Sequence, residues 1–174
     1  MFTDVSMTAI KLSSLIVAAS QPMLTNQMIF SNGTVEFESP KVKITPNTTR
    51  DDFIASALFA ISRPLNQNAP WSRYSFEPIT ANGECLAGDI CFCSAAIYSV
   101  GLCSIRPEFG ASWNDASIEK ERARHSFHTQ LLQGLFQRPP DRGAEYGFSF
   151  PWGGVWALID PKSGGCGILI KYVP

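Results

Sequence analysis

Apolar and polar residues alternate along much of this chain with a period of two, the period of a strand that is wet on one side. Val35 and Phe37 alternate with Glu36 and Glu38, Val42 and Ile44 with Lys41 and Lys43, and Tyr74 and Phe76 with Ser75 and Glu77. Near the C-terminus Ile168, Ile170 and Tyr172 alternate with Leu169, Lys171 and Val173. Asn-Gly pairs at 32–33 and 82–83 fall between such runs and mark tight turns. Asp160-Pro161-Lys162-Ser163-Gly164-Gly165 separates the apolar runs 148–159 and 166–172. Proline presets the φ of a turn and glycine accepts φ > 0, so this is a loop. It predicts a long antiparallel hairpin, 148–159 against 166–172, that carries Trp152 and Trp156.

Two stretches lengthen the period to that of a helix. Thr48 or Thr49 can cap free backbone N–H groups, and Asp51 and Asp52 suit the positive end of a helix dipole. Phe53, Ile54, Ala57, Leu58 and Ile61 follow at helical spacing, so a helix is predicted over about 49–61, ended by Arg63-Pro64. A second is predicted over about 115–136, capped by Asp115 or Ser117, with Ile118, His125, Leu132 and Leu135 facing a sheet. On its surface Glu121 and Arg124 are a favourable pair, Lys120 and Arg124 an unfavourable one. The run 89–105 is too long for one strand, and Gly101 does not suit a helix interior. It reads as two central strands, covered on both faces and divided near 96–99.

With further strands at 28–30 and 71–79, the expected order is three strands, a helix, four strands, a helix and two strands. The fold class is α+β: a mainly antiparallel sheet with two principal helices packed on one face. Residues 28–174 form one domain in this reading, and residues 1–27 are an N-terminal extension.

Composition narrows the function classes. The 174 residues are 45% apolar and only 17% charged, which indicates a globular chain. A formal charge of −1 gives no global drive toward nucleic acid or anionic lipid. The apolar run 12–19 is too short to span a bilayer, and the segment before it lacks the basic character of a secretory leader. No membrane role is expected. The odd set Cys85, Cys91, Cys93, Cys103 and Cys166 contains no Cys-x-x-Cys pair. It reads as reduced, buried structural thiols in a cytoplasmic protein, with a metal site beside His125 or His128 as the alternative.

The most enzyme-like set is Cys166 with His125 or His128 and Asp160, since a thiol nucleophile needs a base and a group to orient it. His125-x-x-His128 could reach one metal, but lacks the intervening glutamate of helical zinc sites and a third ligand. The plainer reading is two helix histidines, one packed on the sheet. Trp113, Tyr146, Trp152 and Trp156 are core residues or an aromatic surface, with Trp152 the strongest surface candidate because Pro151 and Gly153-Gly154 bend the chain there. No phosphate loop, dinucleotide fingerprint or nucleophile elbow occurs, and no cofactor is expected.

The stretches ITPNTTRDDFIAS (44–56), SWNDASIEKERARHSFHTQLL (112–132) and WGGVWALIDPKSGGCGILIKY (152–172) resemble small bacterial immunity-type proteins. The shared features are structural: a helix cap, a Trp-Gly strand and an Asp-Pro-Lys loop. The resemblance implies a cytoplasmic, non-enzymatic protein that neutralises a cognate secreted toxin by binding it. Loops and edges can vary without disturbing a core, so the expected partner-binding residues are Trp113, Asp115, Asp141, Glu145 and Trp152. A small cysteine hydrolase using Cys166 is the alternative, and a ligand-binding domain with tryptophans in a pocket is a third reading.

Overall fold

The computed structural model describes residues 28–110, 115, 117–141 and 147–173. Its first element is a ribbon of β1 (Val35–Glu38) and β2 (Lys41–Ile44), joined by Ser39-Pro40. The register sets Glu36 opposite Lys43, and their exposed side chains form an ion pair at 3.2 Å. Before the ribbon, Ser31-Asn32-Gly33 turns the chain, but 28–30 does not extend into the expected strand. Only Ile29 makes a bridge, to Val35.

The helix expected over 49–61 is two short ones, α1 (Arg50–Ile54) and α2 (Ala57–Ala60). Thr49 and Asp52 form a reciprocal capping box at the start, as the side-chain types require. Ser56 then ends the run. It adopts an extended backbone as the N-cap of α2, and its hydroxyl donates to the Phe53 carbonyl at 2.7 Å. That local bond competes with continuation of the helix.

The strands β3 (Ser62–Asn66), β4 (Trp71–Ala81), β5 (Glu84–Cys93) and β6 (Ala96–Ser104) follow. The division of 89–105 falls at Ser94-Ala95, earlier than expected, where Ser94 takes φ +56°. After a short 3-10 turn at Pro107–Phe109 comes α3 (Ile118–Phe136), capped by Ser117. The chain closes with β7 (Gly147–Phe150), β8 (Gly153–Ile159) and β9 (Cys166–Tyr172). The sheet order is β3-β4-β5-β6-β9-β8-β7, every pairing antiparallel.

Strand β8 pairs with β9 from Gly153↔Tyr172 to Ile159↔Cys166, but 148–150 is not part of the same strand. The chain reverses at Pro151-Trp152, so β7 folds back on β8. Gly153 permits the bend: its φ is +142°, and a Cβ there would lie 2.0 Å from the Lys171 carbonyl oxygen.

One sheet face carries the core. The row Ile90, Val100, Ile170, Val155 and Phe148 crosses five strands and is 0–1% exposed throughout. Fully burying a side chain of this size contributes about 1.5–3 kcal/mol each. Phe53 of α1 caps Tyr74 and Phe92 on this face, Phe37 of the ribbon meets Phe76, and Leu132 of α3 is fully buried. The helices and the ribbon therefore share one layer, with α3 as the single long helix among the described residues. The other face is half-buried, not covered as expected for 89–105. Its row is Asp89, Gly101, Leu169 and Trp156, and the Trp156 ring lies back over Gly154.

Candidate functional site

The face that α3 turns to the sheet differs from the expected apolar stripe. Its buried residues are Glu121, His128, Thr129 and Leu132, whereas Ile118 is 53% exposed. The first half of the helix thus buries polar groups, and these meet Cys166 at the start of β9. Glu121 accepts the Cys166 backbone N–H at 2.9 Å and pairs with Arg124, both side chains being almost fully buried. Arg124 also donates to the Phe109 carbonyl at 2.8 Å, tying the helix to the 3-10 turn. His128 accepts the Ser104 backbone N–H through Nε2 at 3.1 Å, and its Nδ1 lies 3.8 Å from the Cys166 sulfur.

These contacts fix the protonation state. Because Nε2 accepts from Ser104, the neutral imidazole carries its proton on Nδ1, which points at the sulfur. His128 is fully buried, and burial, with Arg124 and His125 nearby, lowers its pKa to about 4. Burial, Glu121 and Cys103 push the Cys166 thiol up to about 12. Moving the thiol proton onto His128 would set a protonated Nε2 against the Ser104 N–H, donor facing donor. A thiolate is disfavoured by desolvation and by the nearby negative charge, and the Ser104 N–H keeps His128 from acting as the base that would form it.

The expected third member is elsewhere. Asp160 accepts from the Lys162 N–H at 2.9 Å and the Ser163 hydroxyl at 2.7 Å, so both its oxygens serve its own turn, which holds its pKa low. Nor do the two histidines point at one position. His125 Nε2 lies 3.2 Å from the Ala157 carbonyl, while His128 serves Ser104. The cysteines are all free, as expected, but only Cys166 is buried: Cys85 is exposed and Cys91, Cys93 and Cys103 are intermediate.

Of the expected partner-binding residues, Trp113 and Glu145 lie outside the described residues. Asp115 pairs with Lys120 before the first turn of α3. Asp141 and Arg138 close the outer edge of β7. Asp141 donates its N–H to the Gly147 carbonyl at 2.8 Å and accepts the Ser149 N–H at 2.6 Å, while Arg138 donates to the Ser149 carbonyl at 3.2 Å. These are the groups that an added strand would use, so the pair protects the edge. Trp152 is half-buried. It stacks on Phe150 at 5.1 Å, and its indole N–H donates to the Ser31 carbonyl at 2.7 Å. Asp141 and Trp152 thus share the β7 end. The 19 residues of α3 lie between Asp115 and Asp141 in the chain, a helix about 28 Å long at 1.5 Å per residue.

The sequence reading missed Glu121, Arg124 and Arg138 as structural polar groups. A signal existed for the first two: positions 121, 124, 128, 132 and 135 form a helical stripe once polar residues are allowed on it. No helix among the described residues is long and apolar enough to cross a membrane. In comparisons with known proteins, the chain matches no family model, no curated protein and no solved structure.

Proposed function

We propose that this chain is a non-enzymatic protein-binding module of the immunity type, which neutralises a cognate secreted bacterial toxin in the cytoplasm. The observation that carries the reading is the state of the Cys166–His128 contact. The pairing best suited to covalent chemistry is buried and neutral, and His128 is hydrogen-bonded in the wrong sense to take the thiol proton. The resemblance of three stretches to immunity-type proteins supplies the class of partner. Contact with the toxin comes from the end of the sheet where Trp152, Arg138 and Asp141 lie, from the loop that runs on to Glu145, and from the segment at Trp113 and Asp115. Acidic side chains there speed encounter with a basic partner and fix its orientation.

The test is to mix the purified protein with the product of the adjacent gene and follow complex formation by calorimetry. A stoichiometric complex that suppresses the partner's activity supports the reading. Absence of a complex, or hydrolytic turnover lost in Cys166→Ser, overturns it.

A further inference from the structure

A second site lies away from the Cys166 cluster, where α1 meets the β5–β6 turn and the start of β4. Arg50, Asp51, Gln67, Trp71, Ser72 and Ser94 line a cleft of about 540 Å³ there. That is within the range of small-molecule sites, roughly 300–1,000 Å³. We propose that this cleft binds a monoanionic carboxylate, held by Arg50.

Arg50 is fixed by a relay of hydrogen bonds. Its Nε–H donates to the Tyr74 hydroxyl at 3.1 Å, which donates to Gln67 Oε1 at 3.3 Å, and Gln67 Nε2 donates to the Arg73 carbonyl at 3.3 Å. Its backbone N–H is bound to the Ala95 carbonyl at 2.8 Å. The relay occupies the Nε side of the guanidinium. The two Nη groups, the end-on edge that matches a carboxylate's two oxygens, have no acceptor among the described residues. Among the described residues no carboxylate pairs with Arg50, whereas Arg63, Arg73, Arg106, Arg124 and Arg138 are paired to Glu77, Asp89, Glu84, Glu121 and Asp141.

The rest of the cleft suits the same ligand. Ser72, Ser94 and Trp71 line it, and none of their side chains makes a hydrogen bond among the described residues. Trp71 is 39% exposed and is held edge-on against Tyr98 at 4.9 Å, so an apolar wall stands beside the cation. Asp51 also lines the cleft; its charge opposes any anion there, a dianion such as phosphate more strongly than a monoanion. The α1 N-terminus takes no part, because the Thr49–Asp52 capping box and the Ala95 carbonyl use its leading groups. The carboxylate comes either from a free small acid or from the end of a peptide.

The test uses ¹H–¹⁵N spectra of the intact protein titrated with benzoate, benzamide and inorganic phosphate. Benzoate is expected to give saturable shifts of the Arg50 Nε–H and Trp71 indole signals, with benzamide and phosphate at least tenfold weaker. Arg50→Met, which keeps the apolar stem, should weaken benzoate at least tenfold. A short peptide with a free C-terminus is compared with its amidated form. If the free form binds tighter than benzoate, the source is a peptide; if it binds more weakly, the source is a free acid. The proposal is overturned if benzamide or phosphate matches benzoate, or if Arg50→Met binds benzoate unchanged. The benzoate–benzamide comparison needs no variant, so it decides the matter even if Arg50→Met does not fold.

Discussion

Lowering the pH from 7 to 5 should destabilise this protein through one residue, His128. Its pKa falls from 6.5 to about 4 on folding, chiefly because burial penalises the charged ring. Between those values the unfolded chain binds a proton that the folded chain refuses, so stability rises with pH across this window. The contribution is fully present above pH 6.5 and is lost as pH falls toward 4, below which it levels off. Worked from the two pKa values, the loss is about 2 kcal/mol at pH 5 and approaches roughly 3 kcal/mol at the acid limit. The assay is urea unfolding followed by tryptophan fluorescence at both pH values, for wild type and His128→Gln. Glutamine can still accept the Ser104 N–H but does not titrate. The variant should start less stable at pH 7 and lose little more by pH 5. An equal loss in both proteins, or a flat wild type, refutes the buried neutral imidazole.

Other outcomes follow from the same contacts. Asp141→Ala should bare the β7 edge and give concentration-dependent association in sedimentation, which a purely surface role would not. Trp152→Ala should cost about 2 kcal/mol, less than the roughly 3–5 of a fully buried tryptophan, measured by thermal unfolding. Gly33→Ala should cost a further 1–3 kcal/mol or so, because φ is +83° and the new Cβ would lie 2.6 Å from the Trp152 ring. Iodoacetamide at pH 8 should label exposed Cys85 well before Cys166; rapid native labelling of Cys166 would contradict its raised pKa.

Much of the sheet was legible because alternation and turn chemistry agree. Asn82-Gly83 turns β4 into β5, and Asp160 to Gly165 joins β8 to β9 in the expected antiparallel pairing. Strand β3 was not legible: Pro64 and exposed neighbours disguise it, and proline is tolerated there only because the strand is an edge. The break at Ser56 depends on a hydroxyl reaching one carbonyl, which periodicity does not encode. The reversal at Trp152 was hinted at by Pro151 and the paired glycines, yet the apolar run hid that it makes two strands. For the site, residue types drew Cys166 together with the histidines, and His128 does meet it. What spacing could not carry was the direction of a proton: the Ser104 N–H comes from another strand and decides it. Likewise, Asp141 and Trp152 read as free loop residues, because their partners lie 8 and 121 positions away in the chain.

The central claim is that this chain acts by binding and that Cys166 is structural. The most direct measurement compares wild type with Cys166→Ser in calorimetric titrations against the purified product of the adjacent gene, with that protein's activity followed in parallel. The account predicts the same affinity, stoichiometry and neutralisation for both. Loss of neutralisation in Cys166→Ser while the complex and the fold persist would contradict it.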